Sequence, residues 1–223
     1  MKLVILDRDG TLNDDRNGHV KSVEEWSPLP GALEAVARLN QAGWRVVLAT
    51  NQSGLGRGLY DMGMLNTIHQ TLNEALSPLG GRIDAVFFCP HAPEDDCDCR
   101  KPRPGLFQKI GERLNIDLAG VPTVGNLLRH LQAGVEAGCA PHLVRTGRAA
   151  QLTEADLEPL RQQLPGLQVH ADLTAFADAL LRQAGGEAAA QRIELAVAPA
   201  HRPAGNRQLV GVAGRTAAQQ VAE

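Results

Sequence analysis

Asp7 and Asp9 stand where an apolar run, Leu3-Val4-Ile5-Leu6, stops and Asp7-Arg8-Asp9-Gly10-Thr11 begins. Unbroken apolar residues of this kind read as a strand buried on both faces, and the abrupt change to carboxylates marks its carboxyl end. Gly10 frees the backbone to turn, so both carboxylates can converge on one point. Such a pair attracts a cation. Offered a phosphoryl group, one carboxylate can attack phosphorus while the other handles a proton. An ordinary Asp-Gly turn carries the same residues, so the rest of the chain must decide.

Other strand ends supply the decision. Thr50-Asn51 follows Val46-Val47-Leu48, Lys101 follows Ala85-Val86-Phe87-Phe88 and a cysteine-rich loop, and Gly125-Asn126 follows Val121-Pro122-Thr123-Val124. A hydroxyl with backbone amides, a fixed ammonium and an oxygen-bearing side chain give a transferring phosphoryl group its donors, its positive charge and a magnesium ligand. Cys89, His91, Cys97 and Cys99 form a second set: thiolates and an imidazole at a spacing that closes a tetrahedral site for structural zinc. Zinc there would pin Arg100 and Lys101 beside the carboxylates. Cys139 stands apart and reads as core. Gly54-x-Gly56-x-Gly58 lacks the Lys-Ser/Thr of a phosphate-binding loop and reads as flexible. His69, His142, His170 and His201 are scattered.

The elements that must position these groups alternate regularly. Apolar stripes at helical spacing run through Leu33, Val36, Ala37 and Leu39, through Leu65, Ile68, Leu72 and Leu76, through Leu106, Phe107, Ile110 and Leu114, and through Leu128, Leu131 and Val135. Further strands fall near His142–Val144 and Leu167–Val169, with a last helix on Leu173, Phe176, Ala177 and Leu180. Strand and helix in turn specify an α/β fold: a three-layer, Rossmann-like, mostly parallel sheet with ligands beyond the strands' carboxyl ends. Residues 1–183 make one domain without a large cap, and 184–223, rich in Gly, Ala and scattered Pro, read as a disordered tail. The net charge of −3 and 3% aromatic content argue against nucleic acid. No apolar run nears the ~20 residues a membrane helix needs, and a cytoplasmic monomer is expected.

Asp7-Arg8-Asp9-Gly10-Thr11, Thr50-Asn51-Gln52-Ser53-Gly54, the Cys89-to-Lys101 segment and the Gly125 region resemble the haloacid-dehalogenase superfamily of phosphatases. Within it the chain is most similar to the D-glycero-D-manno-heptose 1,7-bisphosphate 7-phosphatase family and its relative, histidinol-phosphate phosphatase. The resemblance implies a small phosphorylated sugar as substrate, Mg2+ and Zn2+ as cofactors, and a place in ADP-heptose and lipopolysaccharide core precursor synthesis. It makes Asp7 the nucleophile, Asp9 the acid and base, and Thr50 and Lys101 the holders of phosphoryl oxygens. Asp15, Gly18, His19, Asn51, Gln52, Ser53 and Arg100 would contact substrate. Magnesium would lie on Asp7, the Asp9 carbonyl and residue 126. There the family pattern has Gly-Asp and then a second Asp, whereas this chain has Asn126, Leu127 and His130. An active phosphatase for heptose bisphosphate, one for histidinol phosphate, and a catalytically impaired homologue are the readings that follow.

Overall fold

The structure, a computed structural model, describes residues 1–15 and 18–197, with 187–197 described by backbone alone. Strands β1 (Leu3–Leu6), β2 (Arg45–Asn51), β3 (Ala85–Cys89), β4 (Pro122–Gly125), β5 (Ala140–Val144) and β6 (Gln168–His170) form one sheet. Their order is β3-β2-β1-β4-β5-β6, with every pairing parallel, so the sheet is wholly rather than mostly parallel. Helices α1 (Ala32–Gln41), α2 (Ser53–Gly56), α3 (Met62–Leu76), α4 (Gly105–Leu114), α5 (Leu128–Glu136), α6 (Glu154–Gln163) and α7 (Leu173–Val197) connect and flank the strands.

β1 is apolar throughout because it is covered on both sides. Successive strand residues point to opposite faces. Val4 and Leu6 therefore pack with Val36, Leu39, Leu72 and Phe176, while Leu3 and Ile5 pack with Leu106, Phe107, Ile110 and Ala133. Each such side chain removed from water contributes roughly 1.5–3 kcal/mol. The chain runs outward from β1 through β2 and β3, then returns to β4 on the other side of β1. That reversal opens a crevice beyond the carboxyl ends of β1 and β4, the place where such sheets bind ligands. Asp7 lies there, its amide donating to the Val124 carbonyl at 2.8 Å.

Several expectations change in the structure. Gly54-x-Gly56-x-Gly58 is not a flexible loop. α2 ends within it, and a Cβ on Gly56 would lie 2.9 Å from the Pro90 carbonyl and 3.0 Å from the Ala92 amide, so its bareness lets two backbones touch. His142 and His170 are not scattered: β5 and β6 pair Val144 with His170, and the two rings stack with Nδ1 and Nε2 3.0 Å apart. The boundary expected at 184 falls inside α7. Ala188-Ala189-Ala190 and their neighbours are strong helix formers, and Gly185-Gly186 oppose them by only about 1 kcal/mol each. The chain divides into compact units Met1–Gly186 and Glu187–Glu223. The remainder of the expected tail, 198–223, lies outside the described residues, as do His201, Arg16 and Asn17.

Candidate active site

The crevice holds a cavity of about 220 Å³ lined by Asp7, Asp9, Asp15, Gly18, His19, Thr50, Asn51, Gln52, Ser53, Arg57, Arg100, Lys101, Leu127, Arg129 and Arg148. All the expected catalytic and substrate-contacting residues meet in it. Arg57, Arg129 and Arg148 were not anticipated, because single arginines at the ends of separate elements leave no pattern in a sequence. They make the cavity rich in cations, which suits an anionic ligand.

Asp7 is buried and accepts at Oδ1 from its neighbour's amide, Arg8 N, at 2.9 Å and from Lys101 Nζ at 2.9 Å. Lys101, also buried, gives its other two protons to the Ala49 carbonyl at 2.6 Å and to His130 Nδ1 at 2.9 Å. An ammonium has three donors, so all three are engaged, and a phosphoryl oxygen must displace one of these partners. Burial lowers the Lys101 pKa, and Asp7 opposes that shift.

His130 is wholly buried on the first turn of α5, and burial together with the Lys101 charge holds its pKa well below the ordinary value. The ring is therefore neutral. Because Nδ1 accepts from Lys101, the proton belongs on Nε2, which donates to Thr123 Oγ1 at 2.9 Å. The space for this ring exists because residue 125 is glycine: a Cβ there would lie 2.8 Å from His130 Cδ2.

Asp9 accepts from Arg8 Nε at 3.0 Å and Asn13 Nδ2 at 3.0 Å on one oxygen, and from Arg8 Nη2 at 3.1 Å and Gln52 Nε2 at 2.9 Å on the other. Arg8 is fully buried and also meets His69 Nε2 at 3.1 Å. Gln52 uses its amide within the protein, donating also to Thr50 Oγ1 at 2.8 Å and accepting from Tyr60 at 2.6 Å. Asn51 grips the Lys101 backbone in both directions, Nδ2 to the carbonyl at 3.1 Å and Oδ1 from the amide at 3.2 Å. Both residues line the cavity, yet their hydrogen bonds hold other site residues in place. Ser53 Oγ and His19 Nε2 lie 3.0 Å apart.

Asn126 is 3% exposed, and neither of its amide atoms makes a well-formed hydrogen bond among the described residues. An unsatisfied buried amide costs roughly 1–3 kcal/mol. The side chain lies against Asp15 and the turn at Gly10 with its nitrogen nearest the turn, and its oxygen is of the kind a hard cation takes. The residues present thus fit magnesium, with one carboxylate fewer than the family pattern.

The cysteine set also assembles. Cys89 Sγ lies 3.5 Å from Cys97 Sγ and 3.6 Å from His91 Nδ1, and Cys99 Sγ lies 3.5 Å and 3.3 Å from the same two atoms. Tetrahedral zinc with Zn–S near 2.3 Å requires ligand separations of about 3.5–3.8 Å. Burial, more than any neighbour, pushes the Cys89 thiol up to about 12, so a cation is needed to keep it as thiolate. Arg100 donates from Nη1 to the His91 carbonyl at 3.2 Å, joining this loop to the cavity.

With that geometry in view, the comparisons are consistent. The family model of polynucleotide kinase 3 phosphatase matches residues 2–123. The D-glycero-beta-D-manno-heptose-1,7-bisphosphate 7-phosphatase of Bordetella bronchiseptica is 54% identical over 185 residues, covering 82% of this chain and 100% of that one. The Pseudomonas aeruginosa enzyme of the same name is 44% identical over 181 residues, covering 81% and 98%. The crystal structure of D,D-heptose 1.7-bisphosphate phosphatase from B. bronchiseptica complexed with magnesium and phosphate superposes with a TM-score of 0.76, covering 82% of this chain and 99% of that one. A parallel sheet of this order with its acids at the switch point defines a phosphoric monoester hydrolase of the haloacid-dehalogenase type. Among these enzymes the chain belongs to the heptose-1,7-bisphosphate 7-phosphatase family.

Proposed function

We propose that this chain removes the 7-phosphate of D-glycero-D-manno-heptose 1,7-bisphosphate in a magnesium-dependent reaction that passes through an aspartyl-phosphate on Asp7. The observation that carries this reading is the buried Asp7–Lys101 pair at 2.9 Å beside Asp9, in the wall of a cavity lined with arginines. Relatives bearing that substrate in their names, at 54% and 44% identity, support the choice of sugar.

In this mechanism Asp7 attacks phosphorus, the bond from phosphorus to the sugar oxygen breaks, and Asp9 gives that oxygen a proton. Asp9, now a carboxylate, takes a proton from water as the water oxygen attacks phosphorus and releases Asp7. Thr50 and Lys101 hold the phosphoryl oxygens, Lys101 exchanging one of its present acceptors for the substrate. The arginines, Arg100 among them, receive the anionic remainder of the substrate. Magnesium would be held by Asp7, the Asp9 carbonyl and Asn126, and when bound it supplies positive charge to the phosphoryl oxygens. Zinc on Cys89, His91, Cys97 and Cys99 would serve as a staple only. No helix among the described residues is long and apolar enough to cross a membrane. The proposed reaction belongs to ADP-heptose and lipopolysaccharide core precursor synthesis, carried out by a cytoplasmic monomer.

A second reading is favoured by one observation: Asn126 and His130 leave the β4 side of the site without carboxylates. It makes the chain a slow member of its family. Phosphate release from heptose bisphosphate and from histidinol phosphate, each with Mg2+ and with chelator, tests both readings. Magnesium-dependent release from the heptose substrate in preference to histidinol phosphate is expected. Equal or better release from histidinol phosphate would overturn the substrate, and release unaffected by chelation would overturn the role of magnesium.

A further inference from the structure

Asp15 sits at the cavity wall, where contact with substrate was expected, but its surroundings point elsewhere. Three carboxylates line the cavity, and two are paired with buried cations: Asp7 with Lys101 at 2.9 Å and Asp9 with Arg8 at 2.9 Å. Among the described residues, the cation nearest Asp15 is Arg148, 3.6 Å away with a side chain 58% exposed. A solvated partner of that kind neutralises little. Asp15, only 5% exposed, is therefore the least compensated of the three carboxylates among the described residues.

Its nearest polar neighbour is the residue that departs from the family pattern. A Cβ built on Gly10 would lie 2.1 Å from Asn126 Nδ2 and 2.8 Å from Asp15 Oδ2, and one on Gly147 would lie 2.6 Å from that nitrogen and 2.7 Å from Asp15 Oδ1. The two side chains are thus wedged together between two glycine backbones. Thr146 closes the wedge by donating to the Gly10 carbonyl at 2.6 Å. Asp15 and Asn126 interact with each other, a contact that opposes the larger effect of burial in raising the Asp15 pKa, and no other group takes Asp15 Oδ1 or either amide atom of Asn126 among the described residues. An ionised carboxylate only accepts, so the edge of the carboxamide facing it must be the NH2. That leaves Asn126 Oδ1 as the edge turned away from Asp15.

We propose that Asp15 supplies the negative charge that Asn126 lacks, and holds the Asn126 amide with its oxygen toward the divalent cation. Asp15 is then a positioning residue for the metal rather than a contact for the sugar. The inference rests on the magnesium reading above. It also explains how an amide can stand where a carboxylate is usual: the charge is moved one residue outward and kept buried. Glycine at 10 and at 147 is what lets the pair come together.

Calorimetric titration of the full chain with Mn2+, without substrate, tests it across the parent chain, Asp15→Asn, Asn126→Asp and the double variant. Asp15→Asn is isosteric, so the fold is retained. The expected result is a loss of Mn2+ affinity of ~10–100-fold for Asp15→Asn in the parent chain, and a much smaller loss when residue 126 is Asp. Equal losses in both backgrounds, or no loss in the parent, would overturn the inference while leaving the magnesium reading intact. A fall in the metal-free unfolding midpoint with unchanged Mn2+ affinity would likewise overturn it, by making Asp15 a loop residue only. Absence of Mn2+ binding in all four chains would overturn the magnesium reading and this inference with it.

Discussion

The two sides of the crevice differ in how completely their polar groups are partnered. On the β1–β2 side Lys101 has all three of its protons engaged, Gln52 donates twice and accepts twice, and Asp9 accepts four hydrogen bonds. On the β4 side Asn126 is equally buried, and its amide has only the Asp15 carboxylate against it, at no well-formed hydrogen bond, among the described residues. A saturated network holds its members rigidly, whereas an unsatisfied amide is a cost that a ligand can offset. The difference separates the part of the site that is already arranged from the part that waits for a cation.

The sharpest way to break this contrast is on the arranged side. Asp7→Asn keeps the shape and removes the attacking carboxylate, so phosphate release should fall on the order of a thousandfold or more; residual activity near the parent rate would remove Asp7 from the chemistry. Cys99→Ser, or chelation strong enough to strip zinc, should lower the unfolding midpoint and weaken substrate binding, because Arg100 and Lys101 follow directly on the cysteine loop. Calorimetry and a measured KM would register both effects, and an unchanged midpoint would show that the loop holds no metal.

Smaller effects test the buried histidines and the glycine that admits one of them. Burial depresses the pKa of His69 and of His142 to about 4. Both are neutral in the folded chain, while the unfolded chain binds their protons below about 6.5. Stability is therefore intact above pH 6.5 and is lost as pH falls toward 4, by about 3 kcal/mol for each ring. Thermal unfolding at a series of pH values would reveal this slope, and His142→Phe should flatten it. Gly125→Ala would drive a methyl into the His130 ring and destabilise by roughly 1–3 kcal/mol; a neutral result in denaturant titration would mean that His130 can move aside.

Much of this arrangement was legible before any coordinates. β1 could be read because burial on both faces demands an unbroken apolar run, and Asp7 and Asp9 because two acids end it. The cysteine loop could be read because its ligands are close in sequence as well as in space. Asn51 and Gln52 line the cavity as expected, and they also brace Lys101 and Asp9, a role that could not be read because a side chain's partner forty residues away leaves no local trace. Arg8 carries no sequence signal of burial, yet it is fully buried because Asp9, Gln52 and His69 converge on it from three separate segments. α6 was missed because it buries only Leu157 and contains Pro159, so it has almost no apolar stripe to detect.

The central claim is that the β1–β2 half of the site is competent and that residues 126 and 130 limit it. Measuring magnesium-dependent phosphate release from heptose bisphosphate by the parent chain beside the Asn126→Asp/His130→Asp variant tests that most directly. The account predicts a rise of ~10–100-fold in the variant. An unchanged or lower rate, in a variant that folds and binds Mn2+, would contradict it.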